Sequence, residues 1–337
     1  MRQLASIQKI IEIKPIEGAD AIEVATALGW HVVVKKGEFN VGGLCVYIEI
    51  DSILPERDEF KFLEKSKYRI KTVRLRGQVS QGICFPLTIL GTDFPYANVE
   101  EGQDVTDILG ITKYEMIVPA HMSGKIKGNF PSFIPKTDEP RLQNFPYLLG
   151  KYKDVKFVVT EKVDGSSTTF FLKDDEFHVC SRNLDLLEDS GNTIWQIARS
   201  MDIEYKMRSA HIGDNIAIQG EIIGQGIQGN RLGVEGKTIL FFNAYDFKNG
   251  TYLSFHQFTS LMNSLGLAMV PTVANDVTLL ESVDEMVVFA TRRTIYNSSN
   301  AWIEGLVWRP LQEEMDDKLG RLSFKVVNPE FLLKNDN

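Results

Sequence analysis

The stretch Thr160–Phe171, TEKVDGSSTTFF, joins two runs that read as strands, KFVVTEK (156–162) before it and STTFFLK (167–173) after it. Apolar and β-branched residues on both sides of Val163-Asp164-Gly165 predict two strands, with Gly165 allowing a tight turn between them. Lys162 then stands at the end of a buried strand. There an amine either reaches water or needs partners for its charge. K-x-D-G is a weak pattern alone, and its meaning depends on the segments that follow it.

Towards the C-terminus, strand-like runs FHVCSR, AIQGEIIG, TILFFNAYDF, IEGLVWRP and LSFKVVN bracket helical patterns near 191–207, 254–265 and 280–293. Ser254 is placed as an N-cap, with Phe255, Phe258, Leu261, Met262 and Leu265 on one helical face. Strands and helices mix without regular βαβ alternation, which predicts an α+β domain built on antiparallel sheets. Polar groups interrupt these strands in a fixed order: Ser181-Arg182-Asn183, Gln219-Gly220-Glu221, Phe241-Phe242-Asn243, Glu304-Gly305-Leu306-Val307, and Ser323-Phe324-Lys325-Val326-Val327. Each alone fits a strand-end salt bridge. Together they place too many charges in buried strands for that reading.

Towards the N-terminus, residues 7–90 hold six short β runs separated by Pro15, Gly18, Gly29, Gly37, Gly42-Gly43, Pro55 and Gly77. That count and spacing suggest a small Greek-key barrel of the OB type. Lys65, Lys67, Arg69 and Lys71 share one parity, so on an extended strand they line one face, with Arg74 and Arg76 on the other parity. The cluster reads equally as a solvated edge that blocks aggregation or as a phosphate-contacting groove. The expected organisation is an OB-like domain over 1–113, a Pro- and Gly-rich linker over 114–138 with Pro119, Pro131 and Pro135, and a second domain over 139–337.

Composition narrows the function class. A net charge of -8 over 337 residues argues against coating nucleic acid by bulk electrostatics, while leaving room for a local basic groove. Three cysteines form no CxxC pair, and five histidines show no HxxxH spacing, which argues against disulfide frameworks and structural zinc. No run approaches the roughly 20 apolar residues of a membrane span, and the first residues lack the apolar core of a signal peptide. An intracellular monomer is expected, in cytoplasm or nucleus, with no membrane partner.

The ordered blocks from Lys162-Val-Asp-Gly-Ser to Lys325 resemble the covalent lysine nucleotidyltransferases, the superfamily of ATP-dependent DNA and RNA ligases and capping enzymes. Lys136-Thr-Asp-Glu-Pro-Arg141-Leu-Gln-Asn144, together with only twelve residues after Lys325, is most similar to RNA ligases of the nick-sealing branch with an N-terminal OB domain. The resemblance implies an ATP-grasp-like, DNA/RNA ligase domain over 139–337 and an enzyme of RNA repair or processing. Its substrates would be ATP and nicked or broken RNA-containing nucleic acid, and its ion Mg²⁺ or Mn²⁺. By the same resemblance Lys162 is the nucleophile that becomes lysyl-AMP, and Lys325 holds the α-phosphate. Glu161 lies at the adenine edge, and Arg182, Asn183 and Glu221 sit at the ribose. Phe242, or its neighbour Phe241, closes on adenine against Val307, and Arg141 meets the β and γ phosphates. Asp164 and Glu304 hold metal-bound water, and Lys65, Lys67, Arg69, Lys71, Arg74 and Arg76 hold nucleic acid. Many members carry a second lysine two residues after the first in the last block. Val327 stands there, which leaves phosphate neutralisation to Lys325, Arg141 and metal. The alternatives are a DNA ligase with identical adenylylation chemistry, a capping-type guanylyltransferase, or a non-catalytic nucleic-acid-binding protein.

Overall fold

The computed structural model describes residues 3–115, 120–210 and 215–335. Its N-terminal runs pair into an antiparallel five-stranded sheet in the order Trp30–Lys35, Ile22–Ala27, Ala5–Pro15, Leu44–Ile48, Ile83–Phe85. The long strand Ala5–Pro15 pairs with one neighbour through residues 5–9 and with the other through 10–15, bending at an irregularity between Ile10 and Glu12. A bulge of this kind sharpens twist, and here it curls the sheet into a nearly closed barrel around Ile7, Ile10, Trp30, Tyr47, Ile48 and Phe60. The run YRIKTVRLRG departs from expectation. Only Thr72–Leu75 is extended, paired with Gln78–Gln81, while Asp58–Ser66 is a 3-10 helix and Lys67 and Tyr68 adopt left-handed backbone. Lys65, Lys67, Arg69 and Lys71 therefore do not share one strand face.

The second half carries two antiparallel sheets. The larger runs Ile126–Asn129, Leu184–Leu186, Glu176–Ser181, Ser166–Lys173, Ile216–Gly224, Lys237–Asp246, Thr251–Tyr252. The smaller runs Thr272–Val277, Phe157–Lys162, Gly305–Pro310, Phe324–Val327. Within 114–138, Ile126–Asn129 is thus an edge strand, while residues 116–119, Pro119 among them, lie outside the described residues. Helices Thr193–Ser200 and Phe255–Leu265 cover the outer face of the large sheet through Ile194, Trp195, Phe258 and Met262. Ser254 caps the second of these in a full capping box with Gln257. The pattern read over 191–207 is two helices, because Asp202 takes a left-handed conformation between Thr193–Ser200 and Ile203–Ser209. Among the described residues no helix is long and apolar enough to cross a membrane.

Val163-Asp164-Gly165 does not turn a hairpin. It carries the chain from the small sheet, which ends at Lys162, to the large sheet, which begins at Ser166. Gly165 is required by close approach: a Cβ there would lie 2.2 Å from the Ile222 carbonyl oxygen and 2.8 Å from Cγ of Glu221. The glycine lets one sheet's end press against the other's middle.

Candidate active site

Register and alternation decide what faces the space between the sheets. Lys162 lies opposite Gly305, Thr160 opposite Val307, and Val307 opposite Lys325, so Thr160, Lys162, Val307 and Lys325 project from one face of the small sheet. The Lys162 Nζ lies 2.5 Å from the Glu304 carboxylate, one residue before the strand Gly305–Pro310 begins. Burial alone would lower the Lys162 pKa, but the Glu304 and Glu221 carboxylates outweigh it and hold the amine above its ordinary value. In turn, burial first and the Glu304 and Asp164 charges next push the Glu221 carboxyl up to about 8, against the pull of Lys162. Asp164 is pushed up to about 6 by burial and by Glu304, opposed by the Arg231 guanidinium with which it pairs.

Three carboxylates thus crowd one amine and one guanidinium, and neighbouring negative charge adds to the proton affinity of Glu221 and of Asp164. Among the described residues no three of His, Cys, Asp or Glu are close enough to ligate a metal together. The excess negative charge fits a divalent cation held through its own water molecules.

The ribose candidates sit at the rim. Arg182 donates twice to Asp138, at 2.7 and 2.8 Å, and its charge also reaches Glu221. Lys136 Nζ donates to Asn183 Oδ1 at 2.9 Å. A bulge separates the two phenylalanines: Gln219 pairs with Asn243 and Gly220 with Phe241, leaving Phe242 outside the ladder. Phe241 is buried in the core with its ring 6.2 Å from that of Phe170. Phe242 instead lines a cavity with Val158, Thr160 and Arg309, beside the one that holds Lys162.

Two family models match the chain, an OB-fold domain over residues 4–87 and RNA ligase over 155–327. The chain belongs to the RNA ligase family. The whole chain is also similar to Naegleria gruberi RNA ligase with PPi, at 38% identity and TM-score 0.88, covering 100% of this chain and 99% of that one. A mutant of that ligase with ATP and Mn matches at 37% identity and TM-score 0.88, covering 100% of both chains. A third, a mutant without nucleotide, matches at 37% identity and TM-score 0.88 over 99% of this chain and 98% of that one. No curated protein matches the chain.

Two groups of expected residues stand elsewhere in this ligase. Arg141 is turned away from the Lys162 cluster and buried against the barrel, 2.7 Å from Asp51 and 3.7 Å from Glu49. Only its backbone adjoins Lys325, whose N–H donates to Pro140 C=O at 2.8 Å. Its guanidinium pairs with these barrel carboxylates, while its buried Nε has no hydrogen-bond partner among the described residues. In the basic cluster Arg69 also pairs with Asp51, at 2.7 Å, and lies 3.7 Å from the centre of the Tyr114 ring, while Arg74 pairs with Glu330. Those two arginines bind within the molecule rather than forming a bare surface.

Glu161 is almost fully buried. Its carboxylate accepts from the Thr294 hydroxyl at 2.8 Å and the Ile295 N–H at 2.5 Å. Sequence reading missed Arg231 and Arg309. Arg309 donates to the Phe242 carbonyl at 3.3 Å and pairs with Glu139 at 2.8 Å. A lone arginine in the glycine-rich run GQGIQGNRLGVEG (224–236) was the available signal for the first.

Proposed function

We propose that Lys162 is the residue this RNA ligase adenylylates, with ATP as donor, and that the ligase joins a 3′-OH to a 5′-phosphate at nicks in duplexes whose 3′-OH strand is RNA. The observation that carries the reading is the Lys162 amine, 2.5 Å from Glu304 and ringed by Glu221 and Asp164, in a chain of this family. The related Naegleria gruberi ligase structures with ATP, AMP and Mn support the choice of nucleotide and ion.

Lys162 nitrogen attacks the α-phosphorus of ATP, a P–N bond forms, the bond to the bridging oxygen breaks and pyrophosphate leaves. The amine must first give up a proton, and Glu304 is the acceptor within reach. Lys325 holds the α-phosphate as charge gathers on it. Arg182, Asn183 and Glu221 fix the ribose, while Glu161, held by Thr294 and Ile295, stands at the adenine edge. Phe242 and Val307 enclose the base in an apolar slot. Mg²⁺ or Mn²⁺, when bound beside Asp164 and Glu304, supplies positive charge against these carboxylates and the triphosphate. AMP then passes to a 5′-phosphate, which displaces Lys162, and the 3′-OH displaces AMP to form the phosphodiester. The barrel and its cations Lys65, Lys67, Lys71 and Arg76, with Arg69 and Arg74 where their internal pairs yield, hold the RNA-containing duplex. The reading takes the ligase to act as a monomer.

Wild-type protein incubated with α-labelled ATP and Mg²⁺ or Mn²⁺ should take up acid-labile label, and Lys162→Ala should take up none. Sealing of matched nicks should require RNA at the 3′-OH end. Equal sealing with a DNA 3′-OH strand would make the protein a general nick ligase, and label from GTP alone would make it a guanylyltransferase.

A further inference from the structure

The helix Pro329–Asn335 plays no part in the chemistry above, yet it lies against the segments that present Asp164 and Glu304 beside Lys162. Fully buried Asn328 starts it. Its side-chain oxygen accepts from the N–H groups of Glu330, at 2.9 Å, and Phe331, at 3.4 Å. Its side-chain amide donates to Ile303 C=O at 3.0 Å, and its backbone N–H donates to Glu304 C=O at 2.9 Å. The backbone that presents Glu304 is therefore gripped at two successive carbonyls by the residue that opens the helix.

Phe331 walls the cavity that also contains Lys162, Asp164 and Glu304. The Arg231 guanidinium lies 5.3 Å from the centre of its ring, donates to Asn335 C=O at 3.5 Å and pairs with Asp164. Arg231 belongs to a loop in which Gly226, Gly229, Gly233 and Gly236 all take positive φ, a backbone with little stiffness of its own. The helix thus supplies fixed contacts on the far side of that guanidinium. On its outward side Glu330 pairs with Arg74 of the barrel hairpin, and Leu332 packs on the barrel core.

We propose that this helix is a positioning element of the active site: Arg231 and Asn328 fix Asp164 and Glu304, and the Arg74 and Leu332 contacts make that placement depend on the barrel's docking. The inference rests on Lys162 as nucleophile with Asp164 and Glu304 holding metal-bound water. Partners that orient such carboxylates are typically worth about 10- to 100-fold in metal affinity or activity.

The test uses full-length protein. Label uptake by Lys162 is measured against Mn²⁺ and against ATP, and Mn²⁺ binding without ATP is followed by electron paramagnetic resonance of the free ion. Arg231→Lys, which keeps the charge but not the planar fork, should raise the Mn²⁺ needed for half-maximal labelling, and weaken measured Mn²⁺ binding, by about 10-fold with KM for ATP within about 2-fold. Arg74→Glu and Glu330→Arg should each shift Mn²⁺ demand by about 3-fold, and the double exchange should restore it.

Wild-type Mn²⁺ demand in Arg231→Lys overturns the proposal, as does an equal rise in both Mn²⁺ demand and KM. Should Arg231→Lys fail to fold by circular dichroism, the charge exchange decides: restoration supports the coupling, and additive losses refute it. Absence of label in wild type, or label in Lys162→Ala, would instead defeat the parent assignment of the nucleophile.

Discussion

Two buried acidic sites in this ligase are built from similar parts and behave oppositely. Around Lys162, the acids Asp164, Glu221 and Glu304 share too few donors, and Glu221 and Asp164 are pushed up to about 8 and about 6. Asp316 is almost fully buried, more so than those three acids, yet it accepts from the Tyr147 hydroxyl at 2.5 Å, Lys151 Nζ at 2.8 Å, the Tyr152 hydroxyl at 2.9 Å, and the N–H groups of Lys318 and Leu319, both at 2.9 Å. Burial opposes its charge, but these donors prevail and hold Asp316 well below the usual carboxylate range. Burial alone does not set the sign; the number of donors per carboxylate does. The first site is left short of positive charge and so receptive to a cation, whereas the second is complete and anchors the segment around Asp316 to the helix Leu148–Lys151.

Substitutions at each site should separate these roles. The largest effect is expected from Lys162→Ala, which should abolish label uptake from ATP while leaving the unfolding free energy in urea within about 1 kcal/mol of wild type, because the crowded acids relax by binding protons. A large stability loss in that variant would show that the lysine is an anchor like those around Asp316. Asp316→Asn should do the reverse, lowering stability by about 3 kcal/mol in urea unfolding while label uptake per folded molecule is kept. Full stability in that variant would remove the contrast.

The pH dependence should be the subtlest difference. Glu221, raised in the folded state, stabilises fully below its unfolded value of about 4.3, and that contribution is lost as pH rises towards about 8. Asp316, lowered in the folded state, contributes above its unfolded value of about 3.9 and loses that contribution as pH falls below it. Urea midpoints of Glu221→Gln should therefore decline less than wild type between about pH 4.3 and pH 8. In Asp316→Asn the loss of stability in acid should be shallower. A Glu221→Gln profile parallel to wild type would mean that Glu221 is ionised as readily folded as unfolded.

Much of the fold was legible because apolar alternation survives in single strands. Phe157–Lys162, Ile216–Gly224 and Gly305–Pro310 stand where their patterns placed them, and two of the polar interruptions bring Glu221 and Glu304 near Lys162. What failed were long-range or sub-strand features. The parity of Lys65 to Lys71 presumed an extended chain, and left-handed Lys67 and Tyr68 break it. The pairing of Arg141 with Glu49 and Asp51 was not legible because those partners lie about 90 residues away in the chain. The separation of Phe241 from Phe242 depends on one bulge, which alternation cannot reveal. The crossing at Gly165 was readable as a turn but not as a passage between sheets, because a glycine does not announce whether freedom or clearance requires it.

The internal pairing of the barrel's arginines changes what RNA binding would measure. A duplex reaching Arg74 or Arg69 meets a cation whose charge is already balanced by Glu330 or Asp51, not by salt from solution. Phosphate would displace a tethered carboxylate, an exchange of one bound anion for another with little net release of dissolved ions. Affinity should then fall with salt less steeply than the number of phosphate contacts would suggest. In a chain of net charge -8, such exchange also screens against polyanions that do not fit well enough to outcompete the protein's own acids.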